Sequence, residues 1–422
     1  MKLGSHITIL AACAASAALS ACGSSSSNSN PQPIKTCGSP TDGLGVLQPF
    51  TAPCEDQGGN AILVTASGEV LALSGYGFPP ATPDDPVFVD GWAVTFSKVL
   101  VTFDHVKLSR NPDKSPSDQS QTDALVAQSD GPWAVELHKG GPLLGKGGSD
   151  EQAVAITAFT GQSKNGNAPF DSTQRYAFGF DIVPATETAQ NVNLDTADLA
   201  DYQEMISNGY TALFVGTATF AGTGCTQSDA TTAQPYDFNQ LPTVVNFRFG
   251  FKSPVTNTNC QNPENGAATF GGEEFIRGVA LKQNATTLAQ ATFHTDHVFW
   301  ENFVHDSPAH FDQFAAQYVG VTPTPPTATL EGMANVTNFN TGFTDKLGAA
   351  LPWRSCVDSS IYPLPTEPQM RFDSGTVPVN PAATAAQALR NYRDAVTYSE
   401  STMGHLNADG LCFVQRNYDS PR

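Results

Sequence analysis

Four of the eight histidines in this 422-residue chain fall between positions 294 and 310. Uniform scatter would place about 0.3 in a window of that size, so composition alone does not explain the cluster. The run reads Phe293-His294-Thr-Asp296-His297-Val-Phe-Trp300-Glu301-Asn-Phe-Val-His305-Asp306-Ser-Pro-Ala-His310-Phe-Asp312. Neutral imidazole is a ligand for copper, zinc and non-haem iron, and a carboxylate on its second nitrogen orients it. The expectation is that His294, His297, His305 and His310 give at least two ligands to a copper or zinc ion. Asp296 or Asp306 would then be an oxygen ligand or an orienting partner, and the flanking aromatics would keep the site dry. The spacing H-x2-H-x7-H-x4-H corresponds to no metal signature. On a strand, His294 and His297 would face opposite sides, so both reach one ion only if the backbone turns between them. The competing reading makes these histidines caps of strands and of a helix starting at Ser307, bonded to nearby carboxylates.

Other chemistry-bearing patterns are incomplete. Gly140-Gly-Pro-Leu-Leu-Gly145-Lys146 begins like a phosphate-binding loop, but Gly147 stands where the magnesium-ligating Ser or Thr should be. No nucleophile elbow, zinc helix or dinucleotide turn occurs, so a non-enzymatic role is favoured. Asn111, Asp113, Ser115 and Asp118 lack the glycine and spacing of an EF-hand. His105, His138 and His405 stand alone and read as ordinary satisfied or exposed histidines, although His105 could supply a ligand from across a sheet.

The elements that must hold these residues are mostly strands. Trp92, Val94, Phe96, Leu100, Val106 and Leu108 are assigned to one face of a long extended stretch, with both faces apolar around Val99 to Val101. Trp133, Val135 and Leu137 alternate likewise, as do Tyr176 to Ile182 and Val245 to Phe251. Further strands are expected over 61–74, 211–220, 279–281 and 289–293. The fold class expected is mainly β, an antiparallel sandwich or barrel-like body with a small helical C-terminal region. Helices are expected from Asp195 or Thr196 to Gly209, from Ser307-Pro308 to Tyr318, and over 382–398. The Pro-rich run after Val321 suggests a boundary. The division is 1–21 a signal peptide, 22–54 a tether with a disulfide-linked segment, 55–320 a β-rich domain, and 321–422 a linker with a helical region.

With 40 acidic against 21 basic residues and a net charge of −19, the chain would repel phosphates, which argues against nucleic acid as a partner. Lys2 and the apolar run Ile7 to Leu19 form a secretory signal. It closes on Leu19-Ser20-Ala21-Cys22, followed by Gly23 and four serines. This box resembles that of bacterial lipoproteins, over these first residues only. The resemblance implies cleavage before Cys22, acylation of that cysteine by palmitate-like chains, and a lipid bilayer as partner. Gly23, where Asp would mark inner-membrane retention, implies the outer membrane, facing periplasm or surface. Cys37, Cys54, Cys225, Cys260, Cys356 and Cys412 remain for disulfides in an oxidising compartment. Fifteen pairings are possible, and nearest-neighbour closure gives 37–54, 225–260 and 356–412. Three functional classes follow: an exported lipoprotein holding copper or zinc in the histidine cluster; a surface ligand- or protein-binding β module without metal, using Trp92, Trp133 and Trp353; and a hydrolase with a non-standard site, which the missing motifs demote.

Overall fold

Period-two alternation of large apolar residues forces one face of each strand inward, and here it builds two sheets that share a core. The computed structural model describes residues 32–83, 85–148, 150–228, 235–322, 325–339, 342–358, 360–364 and 389–418. The segment expected to be a signal, Cys22 and the start of the expected tether lie outside the described residues, as do 365–388.

The strands that matter here are β1 (Ile62–Ser67), β2 (Trp92–Arg110), β3 (Gln152–Phe159), β4 (Arg175–Ile182), β5 (Ala212–Phe220) and β6 (Val244–Phe251). They continue with β7 (Val255–Thr258), β8 (Thr287–Phe293), β9 (Thr327–Thr329), β10 (Gly404–Leu406), β11 (Gly410–Leu411) and β12 (Phe413–Arg416). The larger sheet runs β9-β6-β5-β2-β4-β7-β12, and the smaller runs β11-β10-β8-β1-β3 with Leu143–Leu144 at its edge. Pairing among these strands is antiparallel except between β1 and β8 and between β6 and β9; Trp133–Glu136, also on the larger sheet, pairs in parallel with Gln190–Asn191. The fold is therefore mainly β, a sandwich-like body with few helices: α1 (Glu69–Ser74), α2 (Leu199–Asn208), α3 (Asp312–Ala315), α4 (Tyr392–Glu400) and a single turn at Leu330–Met333.

Phe293 at the end of β8 meets Phe103 of β2 and Phe180 of β4, with ring centroids 6.2 and 5.9 Å away. These contacts lock the two sheets face to face, each buried ring contributing about 1.5–3 kcal/mol. Phe247, Phe249, Phe299, Phe311 and Phe314 extend the same core. Residue 294 follows Phe293 directly, so the histidine run starts where β8 ends, and its own Val298, Phe299 and Phe311 stay in the core.

Several expectations are corrected. Leu100 does not share a face with Trp92, Val94 and Phe96: a bulge between Phe96 and Lys98 shifts the register. A one-residue slip flips every later side chain. Val99, Val101 and Phe103 then join the main core, while Leu100 packs with Tyr202 and Met205 of α2. The strand expected over 61–74 stops at Ser67. Its hydroxyl accepts the Glu69 N–H, and α1 starts. Gly68 permits that corner, because a Cβ there would lie 2.5 Å from the Ala72 Cβ.

Ser307 caps no helix. Its hydroxyl donates within the loop, to Asn302 and Val304. α3 begins only at Asp312, and the Asp90 carboxylate accepts the N–H groups of Phe311 and Asp312, both at 2.7 Å. Of the helix expected over 382–398, residues 382–388 lie outside the described residues. α4 starts at Tyr392, where the Asn391 side chain accepts the Asp394 N–H. After the prolines, Pro326 accepts from Asn246 and β9 pairs with β6, while β10 to β12 complete both sheets. The C-terminal quarter is thus woven into the β body.

All six cysteines are paired, and Cys37–Cys54 is as expected. The other two are Cys225–Cys356 and Cys260–Cys412, not 225–260 and 356–412. Sheet pairing decides this. Thr226–Gln227 pairs with Arg354–Ser355, and β7 pairs with β12, so each cysteine sits beside a strand partner distant in sequence.

Candidate metal centre

His294, His297, His305 and His405 converge, with one ligand nitrogen from each lying within 4.8 Å of the others. Four elements bring them together. His294 follows β8 directly, and its N–H donates to Met403 at 2.9 Å. β10 pairs antiparallel with β8, Thr292 opposite His405, so His405 arrives on the neighbouring strand. The two rings stack with centroids 4.0 Å apart and 21° between planes. The chain then winds into a 3₁₀ turn over Thr295–Phe299. That turn meets the condition set by the sequence, because it swings His297 round to the side of His294, 5.4 Å between centroids. His305 comes from the following loop, 5.3 Å from His405 and 6.0 Å from His297.

The chamber is dry. His297 and His405 are 1% and 0% exposed. Trp300 lies over His297 at 3.7 Å and anchors itself by donating Nε1–H to Asp296. Thr402, just past α4, touches His297 Nδ1 at 2.8 Å and fixes that ring, leaving Nε2 without a partner. Neither ring nitrogen of His405 completes a hydrogen bond, although a backbone group of Thr402 weakly favours its charged form. Such orphaned buried nitrogens cost about 1–3 kcal/mol each unless something binds them. Burial, with the neighbouring imidazoles His294 and His305, holds His297 and His405 well below the usual histidine range. Both are therefore neutral at pH 7, the form that ligates. Burial also opposes charge on His305, but Asp306, 3.3 Å from its Nδ1, outweighs it and raises that pKa.

A metal bound by four imidazoles at about 2.0–2.1 Å would set nitrogens about 3.4 Å apart in a tetrahedron, so modest ring rotations close the shell. The residues present fit copper or zinc. Four nitrogens fill a tetrahedral site and suit holding an ion better than opening it to a substrate.

Of the residues the sequence singled out, the structure assembles His294, His297 and His305. His310 lies in a separate buried network, its Nε2 3.0 Å from Glu301 Oε2 and its Nδ1 4.0 Å from Asp90. Asp296 accepts from Trp300 and Asp306 partners His305, and neither belongs to the converging group. His105, in a bulge of β2, contacts Asp104 and Asp181, and His138 meets the Ala72 carbonyl. Trp92, Trp133 and Trp353 are all buried and offer no binding face. His405 is the ligand that sequence reasoning passed over. Asn407-Ala408-Asp409-Gly410 marks a hairpin after it, yet nothing local says which strand that hairpin joins. No family model, curated protein or solved structure matches the chain.

Proposed function

We propose that this chain is a lipoprotein of the bacterial cell envelope that binds one transition-metal ion, copper or zinc, between His294, His297, His305 and His405. The observation that carries it is the convergence of four imidazoles whose inward nitrogens, on His297 and His405, are buried and unpartnered. The Leu-Ser-Ala-Cys box supports acylation of Cys22 and attachment to the outer membrane, and no helix among the described residues is long and apolar enough to span a bilayer. Acyl chains add about 0.8 kcal/mol per buried CH₂, so the anchor would be durable.

Titrating the chain from residue 32 onward with Cu²⁺ and Zn²⁺ tests the metal site. One equivalent bound by wild type and none tightly by His297→Ala/His405→Ala supports it; equal binding by both proteins overturns it. Palmitate labelling lost in Cys22→Ser tests the anchor separately.

A further inference from the structure

His294 has a second set of neighbours, on the side facing solvent. Its Nε2 lies 3.4 Å from Glu69 Oε1, and Glu69, His294 and Asp409 each offer one ligand atom within 4.8 Å of the others. Unlike the all-nitrogen chamber, this group is two carboxylates and one imidazole. Asp409 is exposed, Glu69 is half-buried, and His294 is 8% exposed. The three therefore form a graded series from water to the chamber wall.

Glu69 stands between two surface grooves, of about 530 and 360 Å³. Asp409 lines the smaller. Three further carboxylates act on Glu69, those of Glu151, Asp296 and Asp409. Lys146 also lines the smaller groove, but Glu264 pairs with it at 2.7 Å. The field at the mouth is thus negative, on a chain of net charge −19, and focuses cations there. Both carboxylates are carried on backbone that is not at ease: Glu69 has φ 59°, and Asn407 and Ala408, leading to Asp409, have φ 51° and 67°. Non-glycine residues in that region cost about 1–3 kcal/mol each and persist only where surroundings impose them.

We propose that Glu69, Asp409 and His294 form an outer metal station, which captures a hydrated divalent cation from the groove and passes it to the four-histidine chamber, with His294 common to both. The proposal rests on the chamber being a metal site. Its chemistry selects the incoming species. Oxygen ligands suit a divalent ion that still carries water, whereas they have little to offer monovalent copper, which prefers softer donors. Transfer exchanges carboxylate and water oxygens for imidazole nitrogens, with no change of oxidation state.

The experiment is stopped-flow loading of the purified chain with Cu²⁺ or Co²⁺, followed by stripping with a chelator, for wild type and Glu69→Gln/Asp409→Asn. A route acts on entry and exit alike. Both rates should therefore fall at least tenfold, while the final spectrum and the stoichiometry of the chamber hold. Loading with Cu⁺ should be slowed by less than twofold. Unchanged Cu²⁺ rates overturn the station and leave the chamber standing; an altered final spectrum also overturns it, by placing the carboxylates in the chamber's own coordination. Absence of any metal uptake by wild type overturns both readings. As an equilibrium check, His297→Ala/His405→Ala protein, shown folded by circular dichroism, should keep weak Co²⁺ binding that the added Glu69→Gln/Asp409→Asn changes remove.

Discussion

Two histidine neighbourhoods in one short stretch have opposite electrostatic character. Around His297 the neighbours are imidazoles, a hydroxyl and an indole face, and burial keeps the rings neutral with nitrogens to spare. Around His310 the neighbours are Glu301, Asp90 and Asp312, with Arg354 bound to Asp312 through two hydrogen bonds. Burial again opposes charge on His310, but Glu301 and Asp90 outweigh it and raise its pKa. The first neighbourhood is lined by imidazoles; the second is lined by carboxylates, with the Arg354 guanidinium already seated among them. Local enrichment in histidine cannot tell these apart, because the distinction lies in what distant strands bring up to each ring.

That contrast can be broken most sharply at the chamber. His297→Ala/His405→Ala should weaken copper or zinc binding by at least about 1,000-fold, some 4 kcal/mol, in chelator-competition titrations. His310→Ala should leave that affinity within threefold. It should instead cost about 3–5 kcal/mol in urea unfolding, because Glu301 and Asp90 lose their buried partner. Interchanged outcomes would reverse the assignment of the two sites.

A smaller effect tests orientation. Thr402→Val removes the contact that fixes His297, and metal affinity should drop about 10–100-fold with stability little changed.

The smallest effects are pH slopes of the apo-protein, which have opposite signs. Burial, then Asp312, pushes Asp90 up to about 7 against an unfolded value of 3.8. The folded state therefore holds a proton that the unfolded state has released. This stability is complete below 3.8 and lost as pH rises through about 7. His310, also raised, loses its share as pH climbs past its own elevated value. His297 and His405, being depressed, contribute above 6.5 and lose stability as pH falls below it. Melting temperatures between pH 4 and 9 should show Asp90→Asn gaining on wild type as pH rises. His297→Ala/His405→Ala should gain on wild type as pH falls.

How much of this was legible in the sequence follows from how local each signal is. Tyr176 to Ile182 and Val245 to Phe251 alternate without interruption, and both strands lie where the pattern put them. Leu100 was misplaced because the bulge at Phe96 to Lys98 shifts the alternation just before the apolar run Val99 to Val101, in which either face could be the core face. His294, His297 and His305 were legible as a run. His405 was not, nor were the two long-range disulfides, since strand pairing over more than a hundred residues has no local signature. His310 looked like its neighbours because the carboxylate at Asp90 is remote in sequence.

Cys412 sits between β11 and β12, where the chain leaves the smaller sheet for the larger, and its bond to Cys260 closes a span of 152 residues. In the chain-entropy account such a closure is worth about 5 kcal/mol. The same crosslink pins the hairpin that carries His405. Without it the hairpin would be held by strand pairing alone, β10 on β8 with β12 on β7 just beyond. Forming that bond therefore steadies the fourth imidazole beside the other three, and a reductant should loosen the group.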